Sequence, residues 1–348
     1  MNDNILLKPA SIKIDNVVKK FGEVEVLKGI NINIQPGEFF TLLGSSGCGK
    51  TTLLRLIAGF EEITGGHILF DGKNISSLNP WERNVGFVFQ NYALWPHMSI
   101  YDNIAYGLRQ RKLSKEVIDE RVRWALSVGG LEGMEKRHPG QLSGGQQQRV
   151  AIVRALVIQP QALLLDEPLS NLDVKLRIKM RKDIKDLQRK VGITVVYVTH
   201  DQEEALEISD RIAVFEKGVI QQIGSPREIY KNPANPFVAQ FVGTSNFIEG
   251  SISAGEFITH SGKPISLGMD IQEAGNVKLC FRPEHAHLSR IQKEGTFPVT
   301  VKSAAYRGNC VNCVVEVEPG LELTINTEEE FECGDKLWLR IQKYSYFK

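Results

Sequence analysis

The sequence predicts an α/β domain built on a mainly parallel sheet, followed by a small all-β domain. Three observations predict it. Strand-like and helix-like segments alternate through the larger part of the chain, the pattern of a parallel sheet with crossover helices. The apolar run 39–43 enters Gly44-Ser45-Ser46-Gly47-Cys48-Gly49-Lys50-Thr51, a match to the phosphate-binding loop G-x-x-x-x-G-K-[ST]. Past Pro233 and Pro236 the segments become short and strand-like, with turns expected at Gly255, Gly262, Gly268, Gly308, Gly320 and Gly334.

Taken in order, residues 11–18 alternate apolar and polar and read as a strand, and 26–34 repeat the pattern. Pro36-Gly37-Glu38 is a turn. Residues 39–43 form a buried parallel strand, 51–58 a helix, and Gly59 its end. Residues 67–70 with Asp71-Gly72 read as a hairpin strand and its turn. Residues 85–89 form another buried strand ending at Gln90. Residues 100–155 are mostly helical, with Ser114 capping one helix. Strands follow at 162–165, 194–199 and 212–215, the last ending at a Lys217-Gly218 turn. A charged helix at 174–191 is closed by Gly192.

Composition narrows the function. Hydrophobic residues are 42% and charged ones 24%, which is ordinary for a globular chain. A net charge of +1 gives no footprint for nucleic acid or anionic lipid. No apolar run approaches the roughly 18 residues of a membrane span. Residues 1–10 lack a signal-peptide pattern, and five unevenly spaced cysteines fit a thiol-state cytosolic chain.

Backbone N–H groups of a phosphate loop converge on one concavity, and the following helix N-terminus adds positive potential. Lys50 supplies a point charge for the β- and γ-phosphates, and Thr51 a hydroxyl for Mg²⁺. Leu163-Leu164-Leu165-Asp166-Glu167 is an apolar run ending in two carboxylates. Asp166 is placed to hold the metal. Glu167, on the other side of the pleat, is placed to orient an attacking water. An Asp-Glu pair after a strand is ordinarily a solvated strand end; the phosphate loop upstream favours the catalytic reading. Gln90 and His200 also end apolar strands and are expected at the same sheet edge.

Leu142-Ser143-Gly144-Gly145-Gln146 lies between these motifs, and most phosphate-loop proteins lack it. With it, residues 11–245 resemble ATP-binding cassette (ABC) transporter ATPases, of the importer subgroup with a C-terminal regulatory domain. The resemblance implies a phosphate-loop NTPase fold with an antiparallel β subdomain and a helical subdomain near 92–158. It sets the ABC domain at 1–245 and a β domain like the oligonucleotide/oligosaccharide-binding (OB) fold at 246–348. It implies ATP and Mg²⁺ as ligands. Phe21 would stack on adenine, and Gly44, Ser45, Ser46, Gly47, Cys48, Gly49, Lys50, Thr51 and Thr52 would hold the phosphates. Thr51, Gln90 and Asp166 would serve the metal, Glu167 would be the base and His200 the switch histidine. Ser143, Gly144, Gly145 and Gln146 would face the nucleotide of a second subunit in a head-to-tail homodimer. Ser170-Asn171-Leu172-Asp173 would join the two sites.

The same resemblance assigns Tyr92-Ala93-Leu94-Trp95-Pro96-His97-Met98 to the contact with an integral membrane permease, itself served by an extracytoplasmic solute-binding protein. The chain would sit peripherally on the cytoplasmic side of the inner membrane, with no nucleic-acid partner. The 94–98 version points to ferric iron as solute, with polyamine, phosphonate or sugar as alternatives. Arg282-Pro283-Glu284-His285 resembles a short motif of the C-terminal domain. Cys310 and Cys313, three apart on a strand, face opposite sides and complete no zinc set. Cys48 reads as a small loop-filling side chain. A soluble ABC ATPase of DNA repair or translation would carry a long insertion or a second cassette. A GTPase would carry an Asn-Lys-x-Asp motif. Neither feature is present.

Overall fold

The structure is a computed structural model that describes residues 7–253, 256–265, 267 and 275–348. Gly255 and Gly268, two of the expected turns, lie outside the described residues. The chain divides into two compact units, the first ending at Ile229 and the second beginning at Tyr230.

In the first unit a six-stranded sheet, counted among the described residues, has the order Val219–Gly224, Arg211–Glu216, Phe39–Gly44, Thr194–Thr199, Ala162–Asp166, Val85–Val88. Every pairing is parallel except that of the first two strands. Residues of the strands Phe39–Gly44, Ala162–Asp166 and Thr194–Thr199 are buried along their whole length. Burial on both faces explains their unbroken apolar runs. One face packs with the helix Lys50–Ala58 and an antiparallel sheet, ordered Val24–Ile34, Ile12–Phe21, Gly65–Phe70, Lys73–Asn74. The other packs on the helices Gly144–Leu156 and Val174–Val191. Ile104, Val122 and Val150 centre a separate helical core shared by Ile100–Gln110, Lys115–Gly129 and Gly144–Leu156.

The register explains why this sheet makes a site. Leu43 pairs with Thr199, Asp166 with Val198, and Val88 with Leu165. The four strands therefore end level with one another, so the residues after Gly44, Val88, Asp166 and Thr199 emerge at one edge.

The second unit is all-β apart from short helical segments. Its described strands form two five-stranded antiparallel sheets around a core that includes Phe257, Phe281, Leu288, Val301 and Leu339. Cys313 is buried on the strand Val311–Glu318, while Cys310 precedes that strand and is partly exposed. The sequence placed the change of domain at 245/246, whereas the compact units divide at 229/230. Arg282 gives a physical reason. Its guanidinium donates to the carbonyls of Tyr230, Ala239 and Thr244, tying residues 230–245 to the β unit.

Candidate functional site

The phosphate loop closes on itself through Lys50. Its ammonium is buried and donates to the carbonyls of Gly44 and Ser45, both at 2.8 Å, and lies 3.6 Å from the Cys48 Sγ. Ser45, Ser46 and Gly47 are exposed at the lip of the loop. Gly49 precedes the helix Lys50–Ala58 at φ 108, a conformation that side chains rarely adopt, and caps it without a side-chain hydrogen bond. The first N–H groups of that helix thus remain available to an anion. At Gly44 a Cβ would come within 2.6 Å of the Phe215 carbonyl oxygen, so only glycine fits between the two strands.

Thr51 Oγ1 donates to Asp166 Oδ1 at 2.9 Å, which sets a hydroxyl and a carboxylate side by side. Burial pushes the Asp166 pKa up; the Thr51 hydrogen bond and the Arg55 and Lys50 charges oppose the rise, and Glu167 adds to it. Glu167 does not continue the pleat as expected from the sequence. Its N–H still donates to Val198 O, 3.1 Å away, but its φ is 44, so the chain turns off the strand there. A non-glycine residue in this region carries about 1 kcal/mol or more of strain, and such positions concentrate at functional sites. The turn brings Glu167 Oε2 within 3.2 Å of His200 Nδ1.

Gln90 is exposed and donates to Ser170 Oγ at 3.2 Å, and Asn171 Nδ2 donates to Gln90 O at 2.8 Å. Ser170 Oγ donates in turn to Glu167 O. Asp173 caps the helix Val174–Val191 by accepting from Leu176 N–H. One loop, residues 167–173, therefore links the carboxylate end of its strand to Gln90. Phe21 is 46% exposed, with Lys19 Nζ 4.4 Å from its ring centroid, which leaves a face free for stacking.

Ser143 caps the helix Gly144–Leu156 in a reciprocal box. Its Oγ accepts from Gln146 N–H, and Gln146 Oε1 accepts from Ser143 N–H. A hydroxyl that accepts in this way keeps its own proton to donate outward. No hydrogen bond or ion pair among the described residues joins 143–146 to the loop 44–52. The structure thus gathers the loop, Asp166, Glu167, His200 and Gln90 at one edge and leaves the second motif separate, with Ser143 exposed, Gly144 and Gln146 half-buried and Gly145 buried.

Two groups escaped the sequence reading. Arg154, from the same helix as the Ser143 motif, donates to the carbonyls of Tyr92 and Ala93, each at 2.7 Å, and lies 5.0 Å from the Trp95 ring. Glu204, 3% exposed, accepts from Tyr197 Oη and Thr199 Oγ1 and so braces the strand end that presents His200. A cavity of about 70 Å³ is lined by Glu167, Ser170, Arg177, Thr199, His200, Asp201 and Glu204. Glu204 falls on the same helix face as its cap Asp201, a spacing that could have marked it.

Comparison with known proteins agrees with this geometry. The ABC transporter family matches residues 27–170, and the TOBE domain family matches residues 279–347. The Fe(3+) ions import ATP-binding protein FbpC of Fusobacterium nucleatum is 44% identical over 96% of this chain and 91% of its own. The spermidine/putrescine import ATP-binding protein PotA 1 of Pseudomonas aeruginosa is 47% identical, covering 97% of each chain. Among solved structures, cbiO1 of Clostridium perfringens, part of the ABC transporter complex cbiONQ, matches with TM-score 0.59 and 33% identity over 63% of this chain and 89% of its own. The dimeric ATP-binding cassette MJ0796, in a post-hydrolysis state bound to ADP and Pi, matches with TM-score 0.55 and 36% identity over 62% of this chain and 99% of its own. The chain belongs to the ABC transporter family, as an ATP-hydrolysing importer subunit that ends in a TOBE domain.

Proposed function

We propose that this subunit works as half of a head-to-tail homodimer, docked on a membrane permease at its cytoplasmic face. The observation that carries this reading is the level register of four strands, which supports one catalytic edge, set against a separate motif that opens on the exposed Ser143. Each edge binds the phosphates of ATP, with Phe21 on the adenine and Lys50 moving from its loop carbonyls to the β- and γ-phosphates. The Ser143 hydroxyl and the N–H groups of Gly144 and Gly145, with Gln146 beside them, close on the γ-phosphate of the other subunit's nucleotide. Asp173 and its loop lie at the join between the two sites.

Thr51 and Asp166 suit Mg²⁺, a cation that takes few protein oxygens and completes its shell with phosphates and water. Among the described residues no set of three His, Cys, Asp or Glu gathers to hold a metal, which fits such a sparse site better than a dedicated cage. Thr51, Asp166 and Gln90 would hold Mg²⁺, which would supply neutralising charge for the β- and γ-phosphates. Glu167 takes a proton from the attacking water, and His200 holds that carboxylate in place while meeting the γ-phosphate. Closure of the two halves is driven by the higher affinity of the closed state for ATP, and hydrolysis releases it.

The segment 92–98 contacts the permease, and no helix among the described residues is long and apolar enough to cross a membrane itself. The solute is ferric iron, as the name of the Fusobacterium relative suggests. Polyamine is the second reading, favoured by the 47% identity to the Pseudomonas protein. Light scattering after size-exclusion chromatography of Glu167→Gln, with and without MgATP, tests the sandwich: ATP should drive dimerisation or compaction. Uptake of labelled ferric iron and labelled spermidine by cells lacking the chain tests the solute, and loss of neither would refute both assignments.

A further inference from the structure

Two arginines of the helix Val174–Val191, Arg177 and Arg181, lie one turn apart and so share a face. Arg181 staples that helix to the helix Gln202–Ile208 and its cap. Its guanidinium stands 3.2 Å from Asp201, 3.2 Å from Glu203 and 3.3 Å from Glu207. Arg177 makes a different set of contacts. Long side chains on a helix lean back toward its N-terminus. Arg177 Nη2 accordingly donates to the carbonyl of Leu172 at 3.2 Å, on the loop 167–173. Its Nη1 stands 3.5 Å from Asp201 Oδ2, and its Nε 3.9 Å from Glu204 Oε1.

We propose that Arg177 is a positioning residue for hydrolysis, tying the loop that meets the second subunit to the strand end that presents His200. The inference rests on the head-to-tail reading, because closure on the second subunit is what displaces that loop.

Both ends of the tie lead to the Glu167–His200 pair. Asp201 follows His200 in the chain, and its N–H donates to Thr199 Oγ1 at 3.0 Å, so a shift of Asp201 carries the backbone of His200 with it. At the other end, Ser170 Oγ donates to the carbonyl of Glu167. Leu169 and Leu172 are buried, so the loop between them is packed, and packed groups pass displacement on. Arg177, Glu167 and His200 line the same cavity of about 70 Å³.

A guanidinium suits the task. Its rigid fork of N–H groups holds a carbonyl and a carboxylate at once, whereas an ammonium is one point charge on a flexible stem. Arg177 Nε is buried and has no hydrogen-bond partner in the structure. Glu204 Oε1 faces it from just beyond hydrogen-bond reach, and an approach of about 1 Å would make the bond. The link therefore has a second arrangement close at hand, as an element that couples two sites requires.

The test compares Arg177→Lys and Arg177→Gln with wild type in steady-state phosphate release, with melting temperatures read alongside. Both should lose at least about tenfold in kcat, since a misplacement of about 1 Å can cost about 10² in rate. KM for ATP should stay within about twofold, the split expected when ground-state binding is untouched. Melting temperatures should stay near wild type, because Arg181 keeps the staple. Recovery of kcat by lysine would overturn the proposal, since a charge beside Asp201 would then suffice. Melting temperatures that fall together with kcat would overturn it too, by placing Arg177 in folding. Glu167→Gln and Glu167→Gln/Arg177→Lys are then compared by light scattering with and without MgATP. Both should dimerise or compact, which supports a role in hydrolysis rather than assembly. If neither does, the head-to-tail reading fails and this inference with it. If only the single variant does, Arg177 serves assembly and the inference fails. If both do while Arg177→Lys and Arg177→Gln turn over at the wild-type rate, the inference alone fails.

Discussion

His200 Nδ1 stands 3.2 Å from Glu167 Oε2, and both residues line a cavity of about 70 Å³ at the end of the parallel sheet. The pairing depends on the left-handed backbone of Glu167, which swings its side chain off the strand toward the neighbouring strand's end. A carboxylate held by an imidazole beside a small polar cavity is arranged to orient one water.

Glu167→Gln should therefore keep nucleotide binding and lose turnover by about 10²- to 10⁴-fold, the range for a general base. Steady-state phosphate release and equilibrium binding of a fluorescent ATP analogue separate the two effects. Hydrolysis at the wild-type rate would remove Glu167 from the base role.

Ser143→Arg places a long cation at a helix start that already caps itself. ATP binding to the isolated subunit should be unchanged if Ser143 serves the other subunit's nucleotide, as proposed. Turnover should fall to background. Loss of ATP binding by the monomer would contradict the trans arrangement.

Much of this site was legible in the sequence because it is built from local signals. A parallel strand is an unbroken apolar run, and the residue just beyond its end emerges at a predictable edge, so Lys50, Gln90, Asp166 and His200 could be placed together. The arginines that tie distant segments together were less legible. Arg83, Arg154 and Arg282 each bond backbone carbonyls from distant segments; nothing beside Arg83 or Arg154 in sequence separates them from surface arginines, and Arg282 was marked only by the motif its neighbours resemble. The φ of Glu167 was equally hidden, because it is set by the loop 167–173 closing on Gln90. The helix Pro236–Phe241 carried a readable start, Asn235 as cap and Pro236 at the first position, but it is too short to show periodicity.

Arg83 makes a stability prediction. It is 4% exposed, and its guanidinium donates to the carbonyls of Leu56, Ile57, Ser76 and Leu78. It thereby closes the C-terminal end of the phosphate-loop helix. Arg83→Ala should cost about 3 kcal/mol, since several buried carbonyls lose a charged donor together. Urea unfolding followed by tryptophan fluorescence measures this, and a loss below about 0.5 kcal/mol would show that those carbonyls find other partners.

Glu204 makes a pH prediction. Burial raises its pKa; hydrogen bonds from Thr199 and Tyr197 oppose the rise, Asp201 adds to it, and Arg181 counters it. A carboxyl whose folded pKa exceeds its unfolded value favours the folded state most when protonated. Its contribution declines as pH rises from the ordinary glutamate range through the raised value. Arg177, 3.9 Å away, is the other charge facing it. Glu204→Gln removes this titration and keeps the shape. Wild type minus variant stability should therefore fall as pH rises from about 5 to about 8. Thermal melts across that range check it, and a difference that grows with pH would reverse the expected sign.

Arg154 joins the Ser143 helix to the segment assigned to the permease. Tyr92 and Ala93 hold φ of 63 and 46, a region that costs a non-glycine residue about 1 kcal/mol or more, and the two Arg154 hydrogen bonds hold their carbonyls in that turn. Burial lowers the Arg154 pKa to about 10, which leaves it cationic at neutral pH. Arg154→Ala should leave ATP binding within about twofold, because the residue shares no hydrogen bond with the phosphate loop. Released, the 92–98 segment would no longer present one surface to its partner. ATPase activity stimulated by the reconstituted permease should then fall at least tenfold while the basal rate of the free subunit holds. Equal losses in the two rates would place Arg154 in general folding, and no loss in either would detach the 92–98 turn from coupling.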